Sequence, residues 1–268
     1  MTGTATPTRR WERFTAQERI ARSVLYILTV IAVVWSLRTI DIIPEFLYDA
    51  PEQTADLFKR MWPFDWAFYP KAVHSALIET FHIATLGTIL AILLALPLSF
   101  MAARNFTRNP VLRWLAQFIF VSSRSVNSLI WALIFVAIFG PGALAGVMSI
   151  AVRSIGFVGK LFGEALEEAQ RGPLEALTAT GAPRSMILAK GYWPQVEPAF
   201  WSIALLRWDI NIRESAVLGL VGAGGIGVAL DAALNNLYWD QVGLILAVIF
   251  AVVIATEIVT SFLRSRIL

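Results

Sequence analysis

Long apolar runs separated by short polar stretches dominate the pattern of this chain. Four runs contain almost no charged side chain: residues 23–37, 84–100, 128–139 and 242–262. With their flanks, these runs reach the roughly 20 helical residues that cross a hydrocarbon core. Two further runs, residues 143–162 and 199–221, are as long but carry charges. Counting both, the pattern predicts an all-α integral membrane protein with six transmembrane helices.

The composition agrees with a membrane location. Hydrophobic residues make up 57% of the 268 residues and charged residues only 15%, whereas ordinary soluble domains carry about 25% charged residues. The net charge of +3 does not point to nucleic acid, because the basic residues gather in loops and act as topology signals. The chain has no cysteine, which excludes a disulfide framework and a thiolate metal site.

Basic residues are distributed unevenly between alternate loops. With a cytoplasmic N-terminus, the inner segments carry Arg9, Arg10, Arg13, Arg19, Arg22, Arg104, Arg108, Arg113, Lys160, Arg171, Arg184, Lys190, Arg264 and Arg266. The outer segments carry only Arg38, Lys59, Arg60 and Lys71. This asymmetry follows the positive-inside rule and predicts that both termini are cytoplasmic. No small-residue cleavage site follows the first run, so we expect that run to remain as an anchor.

The spans and loops predict a single membrane domain. Residues 1–22 form a cytoplasmic N-terminal arm, residues 23–40 the first span, residues 41–73 an extracytoplasmic segment, and residues 74–268 a core with the other five spans. Within the extracytoplasmic segment, residues 52–61 are predicted to form an amphipathic helix at the outer interface, where aromatic side chains also settle. A plain linker between the first two spans is the alternative.

A polar insert, residues 163–194, interrupts the apolar pattern between the fourth and fifth spans. Its acidic residues and glycine–proline steps predict two short helices joined at a bend, with breaks at Gly172-Pro173 and at Gly181. The basic residues place the insert in the cytoplasm, where a soluble protein can reach it. Two interpretations stay open, namely docking of a partner and amphipathic helices that rest on lipid headgroups.

The spacing within the insert is similar to the cytoplasmic coupling signature of ABC-importer permeases. Gly181 lies six residues after Glu175, which Ala176 follows, and Pro194 lies thirteen residues after Gly181. In that family, the loop inserts a short helix into a groove of a separate ATPase subunit. The resemblance therefore implies that Glu175, Ala176, Gly181, Ala182 and Pro194 couple the chain to an ATPase.

Three residues of the insert depart from the family pattern. Leu177 stands where a third small residue is usual, Gly191 where isoleucine is usual, and Trp193 where leucine is usual. We therefore expect the tail of the motif to pack differently from the family pattern.

Residues 208–227, WDINIRESAVLGLVGAGGIG, resemble the fifth-span region of phosphonate-importer permeases. Methionine-importer permeases share the glycine-rich end less closely. The resemblance implies a type I ABC-importer permease fold with a cytoplasmic coupling loop at residues 163–195. It also implies a periplasmic gate formed by the glycine-rich segment, Gly222, Gly224, Gly225 and Gly227.

The same glycines satisfy the dinucleotide-binding fingerprint Gly-x-Gly-x-x-Gly. That fingerprint needs a preceding strand and an acidic residue about 20 positions further on, whereas these glycines follow an apolar helix. We therefore favour close helix packing over a nucleotide site. A second glycine-rich stretch, Gly140-Pro141-Gly142, predicts a tight outer turn.

Arg124 lies in a run of hydrogen-bonding side chains that includes Ser125 and Asn127. A guanidinium among hydroxyl and amide groups suits the several oxygens of a phosphonate. The three residues are therefore candidates for the translocation pathway. Snorkelling of Arg124 to lipid headgroups explains its position equally well.

Three further arginines, Arg153, Arg207 and Arg213, lie within predicted spans, where charges are costly and face a cavity or a partner. They are also pathway candidates, because a pore must lower the electrostatic barrier to an anion without holding it. Asp209 precedes Arg213 by four residues on one helical face, so mutual neutralisation is an alternative role for that pair. Glu214 is a further charge in the same span.

A metal site and a catalytic site both find little support. His74, Glu79 and His82 lie near the outer end of the second span, but no third strong ligand accompanies the two histidines. The chain has no nucleophile–base arrangement and no phosphate-binding loop ending in Gly-Lys-Ser/Thr. We expect no metal and no cofactor on this chain, and ATP with Mg on a partner.

The resemblance implies the transmembrane subunit of an ATP-driven importer for phosphonates or related phosphorus oxyanions. The expected assembly is a homodimer in the inner membrane of a prokaryote, with two cytoplasmic ATPase subunits, an extracytoplasmic substrate-binding protein and surrounding lipid. The chain is then a permease and not an enzyme. A permease for methionine or another small solute is the first alternative, and an integral membrane enzyme acting on lipid is the second.

Overall fold

The computed structural model describes residues 14–40 and 44–267. Within these ranges the chain is helical and contains no strand, which confirms the all-α prediction. The helices are α1 (Ala16–Thr39), α2 (Pro44–Met61), α3 (His74–Ala102), α4 (Pro110–Ser125), α5 (Ser128–Phe139), α6 (Ala143–Glu168), α7 (Arg171–Ala179), α8 (Arg184–Met186), α9 (Trp193–Leu218), α10 (Ile226–Asn235) and α11 (Trp239–Ile267). Most of the predicted N-terminal arm, including Arg9, Arg10 and Arg13, lies outside the described residues.

The described chain divides into two compact units between Asp56 and Leu57. The first unit contains α1, which begins at a capping box. The Thr15 hydroxyl accepts from the Glu18 amide, and the Glu18 carboxylate accepts from the Thr15 amide, so two otherwise unpaired donors are satisfied. The 24 residues of α1 extend about 36 Å. Its described side chains are exposed and mostly apolar, as a lipid-facing helix requires.

Helix α2 begins at Pro44, earlier than the predicted start at residue 52, and continues through Pro51. Proline removes one backbone donor and restricts the residue before it, but it does not forbid a helix. The helix is amphipathic, since Phe46, Leu47 and Phe58 alternate with charged residues at helical spacing. The predicted amphipathic helix is therefore confirmed and is longer than expected.

The second unit is built around three long helices, α3, α6 and α9. Small residues let them approach closely. A Cβ placed on Gly87 of α3 would lie only 2.6 Å from Cγ2 of Ile150 on α6. Lipid tails are as apolar as the side chains, so close packing of this kind, rather than a hydrophobic driving force, favours association of the helices.

Four helical segments are each long and apolar enough to cross a membrane: Gln17–Thr39, Trp66–Ala102, Ala143–Glu168 and Trp239–Arg266. Two bent pairs meet the same criterion only when taken together. The pair Pro110–Ser125 and Ser128–Phe139 bends by 93°, and the pair Arg184–Val221 and Ile226–Asn235 bends by 41°. The described residues therefore hold four to six candidate spans, and six remains a prediction.

The third predicted span differs most from its expectation. Helix α5 has 12 residues and extends about 18 Å, too short to cross a hydrocarbon core of about 30 Å. The chain turns before it because Asn127 begins a new helix, its side chain accepting from the Leu129 amide at 3.1 Å. The apolar run 128–139 is thus one arm of a bent pair with α4.

The polar insert forms helices, but one predicted break is wrong. Helix α6 ends at Glu168, and α7 begins at Arg171, so Gly172 and Pro173 lie inside its first turn. Proline is tolerated there because the first amides of a helix have no intrahelical acceptor. The second break is confirmed: Gly181 has a φ of +74° and follows the end of α7.

The predicted tight turn at Gly140-Pro141-Gly142 is confirmed, whereas its location on the outer side stays a prediction. Gly140 and Gly142 have φ values of +84° and +141°, which glycine adopts without a steric penalty. The Gly142 amide donates to the Gly222 carbonyl at 2.9 Å. This contact joins the turn to the glycine-rich segment.

Candidate functional site

The candidate coupling residues lie on the exposed side of the insert. Glu175, Ala176 and Gly181 are exposed, Ala182 is half-buried, and Pro194 is exposed in the first turn of α9. The opposite side of α7 is anchored, because Leu174 is buried beneath it. The insert therefore presents its motif outward while its apolar side packs inward.

Two departures from the coupling pattern compensate each other. Gly191 is buried, and a Cβ placed on it would lie 2.7 Å from Cδ2 of Leu174 and 3.2 Å from Cδ1 of Leu177. The larger side chain at position 177 thus fills the space that glycine leaves at position 191. The third departure also packs, since the Trp193 ring centroid lies 5.7 Å from that of Phe200.

Both ends of the insert are tied together. Gln195 accepts from the Gln170 amide at 2.8 Å and donates to the Gly191 carbonyl at 2.7 Å. Next to it, the Glu167 carboxylate accepts from the Arg104 amide at 2.8 Å. These bonds fix α7 and the start of α9 to the C-terminal ends of α3 and α6.

Arg153, Arg207 and Glu214 form the α6/α9 charge cluster. The Glu214 carboxylate bridges the two arginines: Oε1 is paired with Arg153, and Oε2 lies 3.4 Å from Nη2 of Arg207. The three groups carry one net positive charge. Exposure falls across the cluster, from 28% of the Arg153 side chain to 17% of Glu214 and 5% of Arg207.

A chain of hydrogen bonds holds Arg207 in place. Its Nε donates to Oγ of Ser154 at 2.8 Å, and that hydroxyl donates to Oδ1 of Asn211 at 3.2 Å. Asn211 in turn donates to Oγ1 of Thr88 at 2.7 Å. The guanidinium also lies 5.5 Å from the Phe157 ring centroid, a favourable cation–π distance. These hydrogen bonds link α3, α6 and α9.

The alternative of mutual neutralisation between Asp209 and Arg213 agrees with the structure, because their side chains form an ion pair four residues apart. Asp209 is buried and Arg213 is exposed. The second carboxylate oxygen of Asp209, Oδ1, has no hydrogen-bond partner among the described residues. This pair lies on a different face of α9 from Arg207, Asn211 and Glu214, whose spacing of four and three residues aligns them.

Arg124 lies in another place from the α6/α9 charge cluster. It is exposed at the end of α4 and lines a cavity of about 300 Å³ with Arg104, Lys160, Glu164 and Glu167. Lys160 pairs with Glu164 at 3.5 Å. The structure thus separates Arg124 from the arginines of α6 and α9.

Ser125 and Asn127, which follow Arg124 in the sequence, form hydrogen bonds with neighbouring residues. Ser125 donates to the Ser122 carbonyl at 3.0 Å, and Asn127 caps α5. Both side chains are exposed.

Gly224, Gly225 and Gly227 of the glycine-rich segment are buried and tightly packed, and Gly222 is half-buried. Gly222, Gly224 and Gly225 have φ values of +82°, +83° and +76°. A Cβ on Gly225 would lie 2.7 Å from Oγ1 of Thr80, which accepts from the Ile226 amide at 2.8 Å. A Cβ on Gly227 would lie 2.8 Å from the Gly219 Cα. The glycines allow this segment to contact α3 and α9 directly.

The dinucleotide fingerprint lacks its structural context in this segment. Helix α9 and a short 3-10 turn precede the glycines, and the described residues provide no strand before them. The described residues also contain no group of three or more His, Asp or Glu side chains arranged to hold a metal ion.

Sequence reasoning missed Glu214 as the bridge between two arginines and missed the Ser154, Asn211 and Thr88 supports. The sequence did indicate that Arg207, Asn211 and Glu214 share one face of α9, since they are spaced four and three residues apart. The partners on α3 and α6 lie more than 50 residues away along the chain, which local spacing does not reveal.

A second missed feature is a cleft beside the insert. It has a volume of about 580 Å³ and is lined by Arg108, Arg184, Phe106 and Tyr192, among others. The rings of Phe106 and Tyr192 lie 4.6 Å apart between centroids. The loop after α3 and residues 184–192 of the insert therefore share one basic, aromatic surface.

Comparison with protein families gives one match over most of the second unit. The model of binding-protein-dependent transport system inner membrane components matches residues 95–265. This range contains the insert, the α6/α9 charge cluster and the glycine-rich segment.

Two curated relatives have similar sequences. The phosphite transport system permease protein PtxC of Stutzerimonas stutzeri is 38% identical over 212 residues, which are 79% of this chain and 77% of the relative. The phosphate-import permease protein PhnE of Mycolicibacterium smegmatis is 37% identical over 237 residues, 88% of this chain. The chain spans only 44% of the length of that mycobacterial protein.

One similar solved structure is the crystal structure of an amino acid ABC transporter. It aligns with a TM-score of 0.63 and 19% identity over 75% of this chain and 96% of the solved chain. At this identity the likeness concerns the fold alone, and it agrees with the expected type I importer architecture.

Proposed function

The chain belongs to the family of binding-protein-dependent transport system inner membrane components, and on this premise we propose that it forms the translocation pathway of an ABC importer for phosphorus oxyanions. Members of this family are transport subunits and not enzymes. The substrate class is suggested by the relatives, whose names specify phosphite and phosphate.

The α6/α9 charge cluster is the observation that carries the proposal. A partly buried cluster with one net positive charge is costly in a membrane and calls for a role. Its guanidinium groups match the several oxygens of phosphite, phosphate or a phosphonate. Arg153 and Arg207 then lower the electrostatic barrier to an anion, and Arg213 and Arg124, with Ser125 and Asn127, contribute at other points along its path.

Energy enters through the insert. Residues 163–195 form the coupling loop, and the exposed residues Glu175, Ala176 and Gly181, with Ala182 and Pro194, contact a separate cytoplasmic ATPase subunit that binds ATP and Mg. The hydrogen bonds of Gln195 support this role, because they join the loop to α9.

The complete importer contains two copies of this chain around one pathway, two ATPase subunits and an extracytoplasmic substrate-binding protein. The chain crosses the inner membrane several times, with both termini in the cytoplasm. Gly222, Gly224, Gly225 and Gly227 form the periplasmic gate, and this assignment is supported by the close packing of the segment against α3 and α9.

Reconstitution tests the proposed substrate class. The chain is assembled in proteoliposomes with the ATPase and binding protein encoded beside it, and ATP-dependent uptake of phosphite, phosphate, methylphosphonate and methionine is measured. Accumulation of a phosphorus oxyanion that requires ATP supports the proposal. Accumulation of methionine alone favours the small-solute alternative and rejects the oxyanion assignment.

A further inference from the structure

Glu214 occupies both arginines of the α6/α9 charge cluster with its two carboxylate oxygens. It thereby holds the position that an oxygen atom of a transported anion would take. We propose that Glu214 is an internal counter-anion, which competes with the transported oxyanion for Arg153 and so keeps the pathway weakly binding. This inference rests on the proposed function.

Arg153 is the member of the cluster that a substrate reaches first. Its side chain is 28% exposed, compared with 5% for Arg207. A phosphorus oxyanion has more than two oxygens, so two of them can accept hydrogen bonds from the two terminal nitrogens of the Arg153 guanidinium together.

Arg207 stays with Glu214 during this exchange. Ser154 holds its Nε, and Phe157 lies beside the guanidinium, so its position does not depend on the carboxylate alone. The 3.4 Å contact between Arg207 and Oε2 of Glu214 leaves the carboxylate with a cation when the substrate takes Arg153. Competition therefore does not strand a buried charge, which would cost several kcal/mol.

A pathway with two free arginines would hold a multivalent anion and slow its release. The carboxylate reduces the charge of the pair from two to one and supplies a competitor that never diffuses away. Net attraction remains, but binding is weak. A purely structural salt bridge between α6 and α9 makes a different prediction, because its loss lowers stability without tightening anion binding.

The test measures equilibrium binding of radiolabelled phosphite and inorganic phosphate to the permease–ATPase complex in detergent, without the binding protein. The Glu214→Gln variant is expected to bind both anions at least about tenfold more tightly than the wild type does. This factor corresponds to about one charge-assisted hydrogen bond. Its ATP-dependent uptake rate is expected to fall in the complete transporter. The matched control is Glu257→Gln, which removes one carboxylate from an exposed position on α11.

A second variant keeps the inference testable if Glu214→Gln does not assemble. Arg153→Gln removes the site of competition, and binding of the same anions is expected to become weaker than in the wild type. The double variant Arg153→Gln/Glu214→Gln is expected to lose the gain shown by Glu214→Gln. Opposite shifts in affinity from the two single variants are not expected of a structural salt bridge.

Unchanged anion affinity in Glu214→Gln, or equal tightening in Glu257→Gln, overturns the inference. Unchanged affinity in Arg153→Gln also overturns it. Uptake by the wild type separates the two hypotheses: a wild type that transports phosphorus oxyanions without these affinity shifts retains the proposed function and refutes the role of Glu214. A wild type that transports none of them refutes the proposed function first.

Discussion

Leu177 packs against the position where Gly191 lacks a side chain, so a Cβ at 191 would lie 3.2 Å from Cδ1 of Leu177. We expect Gly191→Ile to destabilise the insert by about 1–3 kcal/mol, the usual cost of overpacking. Leu177→Ala in the same chain is expected to recover part of this loss. The thermal unfolding midpoint of the purified permease–ATPase complex measures both effects. No recovery in the double variant would show that the two positions are not coupled.

A bulky residue at Gly181 is expected to disturb coupling. Its φ of +74° is unfavourable for a residue with a side chain, at a cost of about 1–2 kcal/mol. Gly181→Val is expected to reduce copurification of the ATPase subunit or to separate ATP hydrolysis from uptake. Gly172→Ala is the control, since it lies in helix α7 with open space around it. Normal coupling in Gly181→Val would argue against the coupling loop.

Substitutions at Gly225 and Gly140 separate the effect of backbone strain from the effect of steric crowding. Gly225→Ala adds a Cβ 2.7 Å from Oγ1 of Thr80 at a positive φ. Gly140→Ala has a similar φ of +84° but nothing within 4 Å of the added atom. We expect Gly225→Ala to lower the thermal unfolding midpoint and the uptake rate more than Gly140→Ala. Equal effects would mean that backbone strain alone matters and that the contact with α3 does not.

Ser154 is expected to be essential for the position of Arg207. Ser154→Ala leaves the buried Nε of Arg207 without its acceptor and Oδ1 of Asn211 without its donor. Unsatisfied buried groups of this kind cost about 1–3 kcal/mol each. The unfolding midpoint is expected to fall and uptake to decrease. Ser125→Ala, at an exposed site, is expected to change the midpoint little, and a similar fall there would contradict this explanation.

Arg124 is expected to assist transport without supporting the fold. It is exposed and lines the same cavity as Arg104 and Lys160. Arg124→Ala is expected to reduce ATP-dependent uptake about fivefold, which corresponds to about 1 kcal/mol, while the complex assembles normally. Arg113→Ala removes the same charge from α4 outside that cavity and serves as the control. Normal uptake in Arg124→Ala would remove this residue from the pathway.

Local signals in the sequence were sufficient for several features. Gly181 marks a helix end because glycine adopts positive φ easily, and Asp209 finds Arg213 because four residues make one helical turn. The predicted break at Gly172-Pro173 was wrong, since proline interrupts the interior of a helix but is favoured in the first turn of one. Asn127 before an apolar run was an available capping signal for the bend ahead of α5.

Contacts between distant segments were not predictable in the same way. Arg153 and Glu214 lie 61 residues apart along the chain, and each has several charged neighbours nearer in sequence. Which charged residue each of them pairs with depends on how α6 packs against α9. The compensation between Leu177 and Gly191 is similar, because each looks like an isolated departure until the π-helical turn at Ile187–Tyr192 brings them together.

The attachment at Gln195 gives α9 the geometry of a lever arm. Pro194 and Arg207 are separated by thirteen residues, or about 20 Å of helix. A tilt of about 10° about Pro194 would move Arg207 by about 3.5 Å along an arc of that radius. This displacement is comparable to the length of a hydrogen bond, and Glu214 lies further along the same helix. A small tilt of α9 is therefore enough to open or close the contact between Arg153 and Glu214.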